Sequence, residues 1–188
     1  MIPRVASPVD IITVGVLSDT HGHLYPEVVR ALEGVDHIVH AGDVGSPQVV
    51  AALRAIAPLT AVRGNCDCDT WAQELPTYAE IELEGVRMLV GHIESQLRPR
   101  VEVAARDGDM GGYAVVITGH SHLAAMETRE GTLYLNPGSA GPSRFSRPRT
   151  IARLTIRPSQ TEGAAGLPRP DGSAGRARVD AEIVIVDG

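Results

Sequence analysis

The stretch Ile11-Ile12-Thr13-Val14-Gly15-Val16-Leu17-Ser18-Asp19-Thr20-His21-Gly22 sets the fold. Its first seven residues are apolar and largely β-branched, as in a strand buried on both faces. The strand runs straight into a polar cluster, Ser18 to His21. A helix follows, with Pro26 near its first position, Val28, Val29 and Leu32 on one side, and Gly34 as its stop. The unit then repeats. His37 to Ala41 reads as a second strand ending at Gly42-Asp43. Ser46-Pro47 supplies an N-cap and a first helical position for a helix through Val49, Val50, Leu53 and Ile56, which Pro58 halts. Leu59 to Val62 is a third strand, ending at Gly64-Asn65-Cys66-Asp67. This βαβαβ order predicts an α/β fold with polar clusters at the carboxyl ends of its strands, where open α/β sheets build their sites.

The second half has a different rhythm. Ala79, Ile81 and Leu83 alternate with Glu80, Glu82 and Glu84, the pattern of a half-exposed strand, and Gly85 turns the chain into Arg87 to Val90. A helix is expected within Gln96 to Arg106. Tyr113 to Thr118 is a buried strand ending at Gly119-His120-Ser121-His122. A hairpin turns at Glu130-Gly131, and its return strand ends at Asn136-Pro137-Gly138-Ser139. Thr150 to Ile156 and Val179 to Val186 form a last strand pair. Between them, Arg157 to Arg178 is rich in Gly, Pro, Ala and Ser and reads as a long mobile loop within one domain spanning residues 1–188.

Composition narrows the function classes. A chain of 188 residues favours one domain and can bury close to ~70% of its unfolded surface. Its 43% hydrophobic and 21% charged residues exclude wholesale disorder. Every cation is arginine, and the net charge is −6. With no basic cluster and 3% aromatic residues, the chain is poorly suited to nucleic acid. No apolar run approaches the ~20 residues of a membrane span. The N-terminal apolar run contains Asp10 and lacks a cleavage site, so it reads as a strand and not as a leader. Two cysteines, Cys66 and Cys68, are too few for a disulfide framework, which points to the reducing cytoplasm.

The chemistry lies in five clusters, each beside a strand end: Asp19-x-His21, Gly42-Asp43, Gly64-Asn65, Gly91-His92 and Gly119-His120-x-His122. Mixed carboxylate, imidazole and amide ligands suit Mn²⁺, Fe or Zn²⁺ better than Ca²⁺ or a thiolate-bound metal. His37 and His40 read instead as hydrogen-bonded strand histidines.

In that order the clusters resemble the calcineurin-like metallophosphoesterase signature, D-x-H, G-D, G-N-[HC]-[DE], G-H, G-H-x-H. Val62-Arg63-Gly64-Asn65-Cys66-Asp67, the hairpin before His92, the spacing to Gly119-His120-Ser121-His122, and Asn136-Pro137-Gly138-Ser139 resemble its small prokaryotic YfcE-like branch. The resemblance covers Ile11 to Ile156. It implies a four-layer α/β/β/α sandwich of two mixed sheets, with a dinuclear metal site at one rim. The first ion would take Asp19, His21 and His122, the second Asn65, His92 and His120, with Asp43 bridging both. Mn²⁺ is the first expectation, with Fe, Zn²⁺, Ni²⁺ or Mg²⁺ as substitutes. The implied reaction is hydrolysis of a small-molecule phosphate ester by a metal-bridging hydroxide, with Asp43, Asn65, His120 and Cys66 as the catalytic group. A phosphodiesterase is the leading reading, a phosphomonoesterase or nucleotide pyrophosphatase the alternative. A non-catalytic protein-binding scaffold is the reading from another class, and a homo-oligomer is left open.

Two positions depart from the family pattern. Cys66 stands where many relatives carry a histidine able to protonate the leaving group. A thiol with an ordinary pKa near ~8.5 is a weaker acid for that purpose, although the YfcE-like branch shares the cysteine. Gly91-His92-Ile93-Glu94 replaces the branch's Thr-His-Gly-His, so that Glu94 stands for the second histidine. Cys66-x-Cys68 also reads as a redox or metal pair, with less weight. His23 and Arg144 are further candidates for touching substrate, and Arg147 and Arg149 share the loop of Arg144. Asn136 and Gly138 read as turn-formers supporting the rim.

Overall fold

A computed structural model describes residues 11–106, 112–142, 147–158 and 177–186. Arg144 and the interior of the expected mobile loop lie outside these residues. The first strand, β1 (Ile12–Leu17), leads to α1 (Pro26–Ala31), β2 (His37–His40), α2 (Pro47–Arg54) and β3 (Leu59–Ala61). Pro26 and Pro47 open the two helices, and the Ser46 side chain accepts the Val49 N–H to cap α2. A 3₁₀ turn over Thr70–Glu74, not expected from the sequence, carries the chain to the hairpin of β4 (Tyr78–Leu83) and β5 (Val86–Gly91). Helix α3 spans Glu94–Arg106, starting earlier than expected and admitting Pro99 within it. Strand β6 keeps only Val115–Ile117 of the expected Tyr113 to Thr118. β7 (Ala124–Arg129) and β8 (Thr132–Pro137) turn at Glu130-Gly131, and β9 (Thr150–Arg157) pairs with β10 (Arg178–Ile185). Arg157 and Arg178 therefore belong to paired strands and not to the loop, because the β9–β10 ladder extends to that pair.

Two five-stranded sheets result, in the orders β10-β9-β1-β2-β3 and β4-β5-β6-β8-β7. Both are mixed. β1, β2 and β3 run parallel, β9 opposes them and β10, antiparallel to β9, runs with them again; β5, β6 and β8 run parallel while β4 and β7 oppose them.

Side-chain alternation separates the layers. Val14, Val16 and Val39 of the first sheet meet Met88, Val90 and Ile117 of the second in one core. The opposite face of the first sheet buries Leu17 and Ile38 against Val28 and Leu32 of α1 and Val49 and Leu53 of α2. On the second sheet's outer face, Leu89 and Val116 pack on Leu97 of α3. This is the α/β/β/α sandwich expected. The parallel strands of both sheets release their carboxyl ends toward one rim, where hydrogen bonds tie them together: Asp19 N–H donates to the Gly42 carbonyl and Gly119 N–H to the His92 carbonyl, both at 3.0 Å.

Candidate metal centre

Five of the seven expected ligands sit where L-residues rarely go. Asp19, His21, Asp43, His120 and His122 have φ between 47° and 68°. A left-handed residue with a Cβ is disfavoured, and such strain collects at functional sites. Here the loops after β1, β2 and the strand before His120 reverse abruptly and turn these polar side chains into the rim. The backbones must also crowd the carboxylates. A Cβ on Gly64 would stand 2.1 Å from Asp43 Oδ1, and one on Gly119 would stand 1.9 Å from Ser18 Oγ, so only glycine fits either position.

Asp19, His21 and His122 converge. The two Nε2 atoms lie 3.3 Å apart, and His122 Nε2 lies 3.1 Å from Asp19 Oδ1. Asp19 is fully buried. Its Oδ2 accepts from the Ser18 hydroxyl at 2.6 Å and from His120 N–H at 3.1 Å, while its buried Oδ1 accepts no hydrogen bond. Burial pushes its carboxyl pKa up, with the neighbouring Asp43 charge adding to the effect and Ser18 opposing it. An orphaned carboxylate oxygen facing two imidazole nitrogens is the donor set a divalent cation satisfies.

A second convergence surrounds Asp43. The Ala41 carbonyl can only accept, so its 2.8 Å contact places the hydrogen of His92 on Nδ1. That leaves Nε2 directed at Asn65 Oδ1 (3.1 Å) and Asp43 Oδ2 (3.4 Å). Three lone-pair atoms can share this space only around a proton or a cation, and the backbone carbonyl behind His92 orients the ring as ligand histidines are oriented. Burial opposes ionisation of Asp43, yet hydrogen bonds from His92 and from the backbone and thiol of Cys66 hold its carboxyl far below the usual range. For His92 burial likewise loses to Asp43 and the Ala41 carbonyl, and the imidazole pKa is raised. The donors therefore fit metal ions at both places.

The ligand atoms of three sets each lie within 4.8 Å of one another: Asp19, His21 and His122; Asp19, Asp43 and His92; and His21, Asp43 and Cys66. Asp43 belongs to two of them. Asn65 joins through its contact with His92. His120 brings its ring to 5.2 Å from that of His92 and completes none of the sets among the described residues. Cys66 is exposed and its backbone N–H donates to Asp43 Oδ1 at 2.8 Å. Partial desolvation and the Asp43 carboxylate push its thiol pKa up.

Other candidates fall elsewhere. Glu94 turns to Arg129, with 2.6 Å between Oε1 and Nη1. His23 points its Nδ1 at the His21 carbonyl at 3.0 Å, stacks on Tyr25 and stays exposed. Arg149 lies over the same Tyr25 ring, 3.9 Å from its centre. Asn136 supports the rim as expected: its Nδ2 donates to the Gly119 carbonyl at 2.7 Å and its Oδ1 accepts from Gly138 N–H.

Two further residues support the rim: Asp67, whose role the sequence did not reveal, and His40, the hydrogen-bonded strand histidine expected. Asp67 accepts backbone N–H groups from Val44 (3.0 Å), Gly45 (2.7 Å) and Gly64 (2.9 Å), locking the ends of β2 and β3 together. Its place in Gly64-Asn65-Cys66-Asp67 was the available signal. His40 accepts Gly42 N–H on Nδ1, so Nε2 donates to Thr20, whose hydroxyl donates to the Val44 carbonyl.

The profile of the calcineurin-like phosphoesterase superfamily domain matches residues 12–159. A probable metallophosphoesterase of Methanothermobacter thermautotrophicus is 35% identical over 142 residues, covering 72% of this chain and 81% of that one. Among solved structures, the fold is similar to Yfce, a phosphoesterase from E. coli (22% identity, TM-score 0.56, 94% of this chain and 100% of that one). It is also similar to vacuolar protein sorting 29 from Cryptosporidium parvum (18% identity, TM-score 0.65, 93% of this chain and 98% of that one). With its profile matched from β1 through β9 and its polar strand ends gathered at one rim, the chain belongs to the calcineurin-like phosphoesterase superfamily and is a metal-dependent phosphoesterase.

Proposed function

We propose that the protein hydrolyses small-molecule phosphodiesters with two divalent ions, Mn²⁺ first among them. The observation that carries this is the meeting of two donor sets at one rim, Asp19 with His21 and His122 in one and Asp43 with Asp19 and His92 in the other. One ion would be held by Asp19, His21 and His122, the other by Asn65, His92 and His120, and a carboxylate between two cations is what a pair ~3.5–4 Å apart requires. Bound ions would supply Lewis-acid activation of water and positive charge for the phosphoryl oxygens. The protein's part is placement. Asp19 and Asp43 cancel only part of that charge, and neutral Asn65 adds a ligand without cancelling more, so the rim stays attractive to an anionic ester.

Cys66 favours diesters with good leaving groups. It occupies the rim beside Asp43 where an imidazole would otherwise stand, and its raised pKa makes it a poor proton donor to an alkoxide. Good leaving groups need no such proton. The scaffold reading draws on the likeness to vacuolar protein sorting 29, and the filled ligand positions count against it.

The test pairs metal analysis with a substrate panel. Protein reloaded with Mn²⁺ is expected to hold two ions and to favour aryl diesters over alkyl monoesters. Asp43→Asn is expected to lose both ions together, and full occupancy in that variant would remove the bridging role. Protein that binds metal yet hydrolyses no ester in the panel would favour the scaffold.

A further inference from the structure

One donor set contains sulfur. Cys66 Sγ, a His21 ring nitrogen and an Asp43 carboxylate oxygen lie within 4.8 Å of one another, and the ligand set implied by the family signature uses only two of the three. Cys66 is fixed in place by neighbouring groups. Its N–H donates to Asp43 Oδ1 at 2.8 Å, and Asn65 Nδ2 donates to its sulfur at 3.4 Å. Cys68 is turned away, its thiol donating to the Asn65 carbonyl at 3.4 Å. The fully buried Asp19 carboxylate, with Oδ1 unpartnered, marks the same rim independently as a place where a cation belongs.

Distances suit a single ion. Zinc–sulfur bonds of about 2.3 Å and zinc–nitrogen bonds of about 2.0 Å put sulfur and nitrogen roughly 3.5 Å apart in a tetrahedral site. Donor atoms within 4.8 Å of one another reach this spacing by closing no more than roughly 1.3 Å. Sulfur also discriminates between ions. Thiolate favours Zn²⁺ and other thiophilic ions, whereas Mg²⁺ and Mn²⁺ are better served by oxygen and imidazole.

We propose that Cys66 is a direct ligand for thiophilic divalent ions, binding beside His21 and Asp43, and that it sets the metal preference of this rim. On binding, the S–H bond breaks, its proton passes to solvent and a sulfur–metal bond forms; no redox partner takes part. With Mn²⁺ or Mg²⁺ the thiol stays protonated and unligated. The role of Cys66 thus depends on which ion is present. This inference rests on the metal-centre reading above.

Cobalt(II) is the probe, because a thiolate ligand gives a charge-transfer absorption in the near ultraviolet that nitrogen and oxygen ligands do not. Full-length protein stripped of metal and titrated with Co²⁺ is expected to show this band. It should persist in Cys68→Ser and vanish in Cys66→Ser. Cd²⁺ affinity should fall by on the order of tenfold or more in Cys66→Ser, with Mn²⁺ affinity unchanged. Bound cobalt without the band in the wild type would overturn the proposal while leaving the phosphoesterase reading intact. A band lost in Cys68→Ser and kept in Cys66→Ser would overturn it too. Failure to bind cobalt at all would remove both readings. A missing band in the wild type overturns the proposal without any variant, and exposed Cys66 tolerates serine without a core defect.

Discussion

His122 shows what the rim costs a single residue. At φ 57° its Cβ crowds the backbone, a conformation roughly 1–2 kcal/mol above the right-handed one. Glycine relieves this strain and alanine does not. In metal-free protein His122→Gly should therefore be more stable than His122→Ala by about 1 kcal/mol, and both should lose metal affinity. Urea denaturation of the two variants checks the first part; equal stabilities would mean the strain is not stored there. His40 makes a second case. Burial pushes its imidazole pKa down to about 4, against an ordinary value of 6.5. Between these values the unfolded chain takes up a proton that the folded one refuses, so the folded state loses ground as pH falls. The contribution is fully present above pH ~6.5 and declines toward pH ~4, worth about 3 kcal/mol in all. Denaturant midpoints at neutral pH and at pH ~5, measured with a chelator present, should separate clearly in the wild type. The gap should narrow in His40→Gln, which cannot titrate. An unchanged gap would assign the effect to other groups.

Between elements, the decisive contact is Asp67. One buried carboxylate satisfies three N–H groups from the loops after β2 and β3, and these loops carry Asp43 and Asn65. Hydrogen bonds to charged groups contribute ~1.5–3 kcal/mol, and unmade buried ones cost about as much. Asp67→Ala should thus destabilise the fold by about 3 kcal/mol or more. Asp67→Asn should fold and yet bind Mn²⁺ more weakly, because one of its donors must face a backbone N–H. Undiminished Mn²⁺ binding by Asp67→Asn would show that the loops hold their shape without the charge. The same contact explains how legible the molecule was. Strands β1 to β3 could be read because each is an apolar run cut off by a polar cluster. The two hairpins could be read because Glu84-Gly85 and Glu130-Gly131 both accept positive φ. Asp67 could be located but not given work, since a side chain that bonds to backbone leaves no pattern in its surroundings. Glu94 is set at the second histidine of the branch's Thr-His-Gly-His by the resemblance alone. It begins α3 instead and meets Arg129, a partner 35 positions away that no local pattern reveals. The 3₁₀ turn at Thr70–Glu74 was invisible for a plainer reason: one short turn carries no periodicity.

At the scale of the whole molecule, the rim joins two sheets that otherwise meet only through apolar packing and a few loop contacts. Asp19, His21, Asp43 and Asn65 follow strands of the first sheet, and His92, His120 and His122 follow strands of the second. Each proposed ion draws ligands from both. Metal should therefore behave as a cross-link at one edge of the sandwich, binding the folded chain and not the separated sheets. A ligand at a hundred times its dissociation constant stabilises the folded state by ~2.7 kcal/mol, which for a chain of this size raises Tm by roughly 5–10 °C. Adding Mn²⁺ to stripped protein should give a rise of this order, and a chelator should reverse it. Hydrogen exchange localises the effect: protection should increase at the carboxyl ends of β1, β2, β5 and β6 together, while β10, at the edge of the first sheet in strand order, changes little. Asp43→Asn should abolish both the shift and the added protection. If instead Mn²⁺ protects only the first sheet's strand ends, the ions are held by one sheet alone, and the division of ligands across the rim is wrong.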